Sequence, residues 1–159
     1  MSDIAQEIGS LLRQHRLTLG VVESATGGLI SQLITAVPGS SDYYKGSVTS
    51  YSNQTKADVV GVRQETLAEY GAVSPQTAEE MAAGGRRLLD VDVCLSDTGI
   101  AGPGGATETK KLGLFYLGMA HRDGISSRKH VFKGDRQQNR QAAAEAALEW
   151  LKDYLQGLK

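Results

Sequence analysis

VVESATGGLIS, residues 21–31, changes character at its centre. The apolar run before it, LTLGVVES, is rich in aliphatic residues and reads as a strand. Gly27 and Gly28 then lead into GGLISQLITAV, which reads as a helix stopped by Pro38-Gly39. A strand that runs into a helix within a few residues is half of a layered α/β unit. Ser24 stands at the seam, beside residues that leave the backbone bare.

The pattern continues in both directions. Upstream, Ile4, Ile8, Leu11 and Leu12 recur at helical spacing over residues 3–16. Downstream, GSVTSYS has the β-branched and aromatic character of a strand, NQTKADVVG reads as a short helix capped by Asn53, and RQETLAEYG as another ending at Gly71. Ser74-Pro75 starts a helix with an N-cap serine and proline in its first turn, and that helix carries Ala78, Met81, Ala82 and Leu88 towards Asp90. VDVCLSD is a strand that ends at a glycine-rich loop, residues 98–106. KLGLFYLGMAH, the turn RDG and SSRKHVFKG form a β-hairpin, and Gln137 to Leu155 a long closing helix. Helices alternate with strands for most of the chain, so the expected class is α/β: one domain over residues 1–159, a mixed β-sheet with helices packed on its faces.

Composition excludes several functions. Seventeen Lys and Arg against 18 Asp and Glu leave a net charge of -1, without the positive field of a general nucleic-acid binder. The single cysteine, Cys94, permits no intrachain disulfide and sits in a strand pattern, as a small core residue would. No apolar run approaches the roughly 18 to 20 residues of a membrane span, so a soluble cytoplasmic protein is expected. The three histidines are scattered, without a carboxylate pattern that would make a metal site, and no metal or other cofactor is expected. Glycine is 19 of 159 residues, about 12% against a usual 7%, and the excess gathers at ATGG, AAGG and GIAGPGG. Two of these clusters follow strands.

Three strand ends therefore carry candidate chemistry, and ligands of open α/β sheets bind outside the carboxyl ends of strands. At the first, Thr26, Gly27 and Gly28 open a helix whose first N–H groups lack intrahelical partners and attract negative charge. Ser24 there is either a helix cap or a nucleophile, and the N–H groups would serve an oxyanion or a phosphate. At the second, Tyr51 and Asn53 close a strand and Lys56 follows in the first helical turn, against the dipole. That lysine is either solvated or a neutral base, since Ser paired with Lys is an alternative to Ser-His-Asp. At the third, Thr98, Gly99, Gly102, Gly104 and Gly105 form either a wide turn or an anion-binding concavity, and match neither a Walker A loop nor a dinucleotide fingerprint.

VESATGG, VPGSSDYYKGSVTSYSNQTK, GAVSP, DTGIAGPGG and GDRQQNRQAAAEAAL together resemble the CinA C-terminal domain family, also known as the PncC-type nicotinamide-nucleotide amidases. The resemblance runs from about residue 4 to residue 155 and is to the stand-alone form. It implies a cytoplasmic homodimer that hydrolyses the carboxamide of nicotinamide mononucleotide to nicotinate mononucleotide and ammonia, recycling a by-product of NAD consumption. It also implies roles: Ser24 as nucleophile, Lys56 or Tyr51 as the group that activates it, Thr98 as the polar residue opening the glycine loop, and Arg140 as the contact to the substrate phosphate, in its own subunit or its partner's. Ala25 stands where the family has Cys, Ser47 and Ser50 add hydroxyls, and Lys111 replaces a common Pro. Two alternatives accompany the amidase: a catalytically silent nucleotide-binding accessory protein of the competence or damage-response type, and an amidase for another pyridine or nucleotide amide.

Overall fold

The computed structural model describes residues 2–159. In chain order it contains α1 (Ser2–His15), β1 (Leu19–Glu23), α2 (Leu29–Thr35), a 3-10 turn (Ser40–Asp42), β2 (Tyr44–Thr49), α3 (Asn53–Asp58), α4 (Gln64–Tyr70), α5 (Pro75–Leu89), β3 (Val93–Gly99), β4 (Leu114–His121), β5 (Gly124–Val131) and α6 (Arg136–Gln156). The five strands make one mixed sheet in the order β2-β1-β3-β4-β5. β1 is parallel to β2 and β3, while β4 is antiparallel to β3 and β5. The expected α/β class and hairpin are both present.

Alternation along β1 and β3 divides the core. Leu19 and Val21 of β1 and Val93 and Leu95 of β3 pack with Ile8, Leu12, Ile30, Leu148 and Leu151 of α1, α2 and α6. Val22 and Cys94 point to the opposite face, against Met81 of α5 and Val60 and Val62 beyond α3. Cys94 is therefore a core residue, its thiol pushed up to about 12 by burial. The same alternation sends Glu23 and Asp97 towards α2, and Ser24 and Thr98 towards α3 and α5. Among the described residues no helix is long and apolar enough to cross a membrane.

Helix α5 lies close enough to its neighbours that two glycines are required. A Cβ on Gly84 would come 1.6 Å from the Val60 carbonyl oxygen, and one on Gly85 would come 2.3 Å from Val22 Cγ2. Overpacking against a side chain can be relieved, but a backbone carbonyl cannot move without α3 and its loop. Gly84→Ala should therefore destabilise the protein by about 3 kcal/mol, the upper end of overpacking costs. A urea melt checks this through its midpoint, and an unchanged midpoint would show that α5 does not pack on Val60 as described.

Element ends differ from expectation in ways that move the site. β3 continues through Thr98 and Gly99, because β4 pairs with it out to Gly99 opposite Phe115, so these two belong to a strand and not to the loop. The cap of α3 is Ser52, not Asn53: Ser52 Oγ accepts from Thr55 N at 3.1 Å, and Thr55 Oγ1 accepts from Ser52 N at 3.2 Å. α2 begins at Leu29 after a left-handed Gly28, and α6 begins at Arg136, one residue early, because Asp135 and Gln138 cap it reciprocally.

Candidate active site

Ser24 is not a helix cap, since Gly28 holds that place in α2 without any side-chain bond. The chain from 24 to 28 instead turns over two buried carboxylates. Asp97 accepts from Ser24 N and Thr26 N, both at 3.1 Å. Glu23 accepts from Ile30 N at 2.9 Å, from Ser31 N at 3.1 Å and from Ser31 Oγ at 2.7 Å. The helix N–H groups expected to face a substrate are thus filled from inside the protein. Gly27 N donates to Ser24 O at 3.1 Å. Ala25 N–H enters no hydrogen bond among the described residues, and Ala25 lines the cleft into which Ser24 opens.

Lys56 approaches Ser24 from α3. Its side chain is buried, with the residue 2% exposed, and Nζ lies 2.9 Å from Ser24 Oγ. The other two neighbours of Nζ are carbonyl oxygens, Ser50 O at 2.9 Å and Tyr51 O at 3.1 Å. Carbonyls only accept, so they take two N–H donors. An ammonium donates its third N–H to Ser24 Oγ, and a neutral amine in the same place, with its two N–H groups on the carbonyls, turns its lone pair to the serine hydroxyl. Burial lowers the pKa of Lys56, with the negative charge of Asp97 partly opposing it.

The cleft, about 190 Å³, is lined by Ser24, Ala25, Tyr51, Lys56, Ala72, Val73, Thr98, Gly99, Ala101 and Arg136. It is smaller than the roughly 300–1,000 Å³ that encloses a whole drug-sized ligand. One small group fits beside Ser24, with the rest of a larger substrate lying outside. Among the described residues no cluster of three or more His, Cys, Asp or Glu side chains comes together to hold a metal ion.

Of the residues selected from sequence, Ser24, Lys56, Tyr51, Thr98 and Gly99 share this cleft. Tyr51 is 61% exposed, and its hydroxyl accepts from Arg136 Nη2 at 3.2 Å, not from Ser24. Thr98 Oγ1 donates to Ala72 O at 2.7 Å and so holds the loop that forms one wall. Gly99 makes room for Phe115, whose ring lies 2.3 Å from where a Cβ would stand.

The remaining expectations need correction. Thr26 is fully buried beneath the turn and bonds Glu23 and Asp97, so it is out of a ligand's reach. Gly27, with φ 59°, and Gly28, with φ 107°, shape the turn without lining the cleft. Asn53 is an exposed first residue of α3. Gly104 and Gly105 are exposed on the loop, and Gly102 faces a neighbouring groove, where its carbonyl accepts from Arg136 Nη1 at 2.8 Å. Arg140 donates from Nε to Ala25 O at 3.0 Å and from Nη2 to Thr26 O at 3.1 Å. Its guanidinium is held on the Ser24 turn of its own chain.

Four participants were missed. Arg136 is the arginine that lines the cleft, where the resemblance pointed to Arg140. Asn139 donates to Ala101 O at 3.0 Å and accepts from Gly134 N at 2.9 Å, tying α6 to the cleft wall. Glu23 and Asp97 carried a signal, a carboxylate near the end of each of two buried strands at the same alternation phase.

Sequence and structure comparisons agree on the relationship. The pattern of the CinA C-terminal domain matches residues 1–155. A protein of Halothermothrix orenii named for competence-damage inducibility is 48% identical over 155 residues, covering 97% of this chain and 38% of its own length. The chain thus spans less than half the length of the curated relatives it matches. The crystal structure of competence damage-inducible protein A from Klebsiella pneumoniae superposes with a TM-score of 0.96 at 27% identity, covering 99% of this chain and 98% of that one. The competence/damage inducible protein CihA from Agrobacterium tumefaciens superposes with a TM-score of 0.92 at 36% identity, covering 98% and 94%. On these matches, the chain belongs to the CinA C-terminal domain family.

Proposed function

We propose that the protein is an amidohydrolase that converts nicotinamide mononucleotide to nicotinate mononucleotide and ammonia, with Ser24 as nucleophile. The observation that carries this reading is the buried Lys56 amine 2.9 Å from Ser24 Oγ, at the floor of a cleft. Neutral Lys56 accepts the hydroxyl proton as Oγ attacks the carboxamide carbon. The Ala25 N–H, next to the nucleophile and free of other bonds, stabilises the oxyanion. Lys56, now charged, returns the proton to the departing nitrogen, which leaves as ammonia and an ester on Ser24. Water then attacks the ester as Lys56 accepts its proton and passes it to the departing Ser24 Oγ, which restores the serine hydroxyl and neutral Lys56 and releases the carboxylate. Lys56 is the base because the Tyr51 hydroxyl is engaged by Arg136.

In this reading Arg136, which lines the cleft, takes the substrate phosphate, while Arg140 stays on the Ala25 and Thr26 carbonyls. A charge-assisted hydrogen bond contributes about 1.5–3 kcal/mol. Arg136→Leu should therefore raise KM for the mononucleotide roughly 10- to 100-fold with a smaller change in kcat. For the corresponding riboside, which has no phosphate, the substitution should leave KM nearly unchanged. Equal losses on both substrates would remove Arg136 from phosphate binding.

The reading as a whole is tested by following ammonia and nicotinate mononucleotide together from the folded wild-type protein. Equimolar appearance of the two supports it. Saturable binding without release would favour a silent nucleotide-binding role in a competence or damage response, which the names of the relatives suggest. The homodimer implied by the resemblance remains part of the proposal, but Arg140 needs no partner to reach the Ser24 turn.

A further inference from the structure

Beneath the Ser24 turn lie three fully buried polar side chains that the amide chemistry does not touch: Glu23, Thr26 and Asp97. Thr26 Oγ1 is 2.6 Å from Glu23 Oε1 and also contacts Asp97 Oδ2. A hydroxyl has one proton to donate, and ionised carboxylates only accept. With both carboxylates ionised, one of the two contacts would set lone pairs against lone pairs at low dielectric, where that is costly. Both contacts become hydrogen bonds if one carboxyl carries a proton and donates it to Thr26.

The other partners show which acid that is. Glu23 accepts from Ile30 N, Ser31 N and Ser31 Oγ besides Thr26, and Ser31 Oγ is itself fed by the Tyr44 hydroxyl at 2.7 Å. Besides Thr26 Oγ1, Asp97 has among the described residues only the N–H groups of Ser24 and Thr26, both at 3.1 Å. Among the described residues neither acid forms an ion pair with a Lys, Arg or His. The better-bonded Glu23 keeps the charge. Burial and the charge of Glu23 push Asp97 up to about 6 against the pull of its hydrogen bonds, in the same direction as the proton count. The ionisable groups around the pair are Lys56 from α3, Tyr44 from β2 and Arg140 from α6, the last committed to the 25–26 carbonyls.

We propose that Asp97 is a positioning residue that holds a proton on Oδ2 and donates it to Thr26 Oγ1, which donates in turn to Glu23, so that the buried pair under the nucleophile carries one negative charge. While that proton is held, the Ser24 turn is anchored by a neutral acid and Lys56 does not face a full anion; once it leaves, Asp97 becomes the charge that opposes the lowering of Lys56. That consequence for Lys56 rests on the amidase reading; the proton itself does not.

Infrared difference spectra of protein labelled with ¹³C at the aspartate carboxyls separate protonated from ionised groups, and they need no substrate. They are recorded at about pH 5 and about pH 8, on either side of the raised value of Asp97 and above the ordinary aspartate range. A protonated aspartyl C=O band is expected at the lower pH, diminished at the higher, and missing from Asp97→Asn. In Thr26→Val the carboxyl loses its acceptor, so the band should move to higher frequency, and Thr26→Ser should restore its position. Wild type alone can overturn the proposal, by showing no protonated aspartyl band at the lower pH. A band that survives in Asp97→Asn, or that ignores Thr26→Val, would also overturn it. These results leave the amidase assay untouched, so the two readings fail separately.

Discussion

Ser24→Ala is expected to abolish ammonia release, lowering kcat by about 10⁴-fold or more while the fold is kept. Removing the nucleophile of a catalytic unit removes the covalent path, and what survives is the residual catalysis of binding and oxyanion donors. Folding should be nearly unaffected, because the turn is held by backbone groups: Ser24 N on Asp97, and the carbonyls of Ala25 and Thr26 on Arg140. Among the described residues the only side-chain bond lost is the one to Lys56. The check is ammonia release beside a thermal melt and a binding isotherm for the mononucleotide. Retained binding with lost turnover is the expected pair of results. Turnover within tenfold of wild type would mean that water attacks the amide directly.

Lys56→Met is the second large effect. A general base supplies typically 10²–10⁴-fold, and as half of a dyad Lys56 should sit at the upper end, with kcat falling about 10³- to 10⁴-fold. The double variant Ser24→Ala/Lys56→Met should be no slower than the slower single variant, because the two groups act as one unit. In wild type, kcat/KM should rise with pH as Lys56 loses its proton, with a midpoint below the ordinary 10.5 because burial lowers its pKa. Stability carries the same signature. A lysine whose folded pKa is lowered binds its proton more tightly when unfolded, so its cost to the fold is complete below the folded value. That cost shrinks as pH rises from there towards the ordinary 10.5. Lys56→Met should flatten this rise in urea midpoint across the alkaline range. A base limb that persists in the variant would assign the titration to another group.

The layered fold and the seam at Ser24 were legible because both depend on local pattern. Aliphatic runs such as LTLGVVES declare strands, and a Pro after a Ser declares a helix start. Lys56 was legible as a charge placed against a helix end, and the resemblance added its partner. What failed was nonlocal. The N–H groups of the turn and the start of α2 were expected to be open, yet Asp97 of β3 fills those of Ser24 and Thr26, and Glu23 of β1 fills those of Ile30 and Ser31. The resemblance pointed to Arg140, yet Arg136 lines the cleft, because α6 packs with Arg140 turned onto the Ala25 and Thr26 carbonyls. Thr98 and Gly99 were assigned to a loop because nothing local reveals that β4 pairs with them. Alternation within a strand is readable; which strand lies alongside it is not.

The central claim is that Ser24 carries an acyl group, and partitioning with hydroxylamine tests it most directly. Nicotinamide mononucleotide is turned over by wild type in rising concentrations of hydroxylamine, and ammonia, nicotinate mononucleotide and the hydroxamate are counted together. An ester on Ser24 predicts hydroxamate that grows at the expense of the carboxylate, at a ratio set by hydroxylamine alone, and none from Ser24→Ala. Ammonia released with no hydroxamate at any concentration, or no ammonia at all from folded wild type, would contradict it.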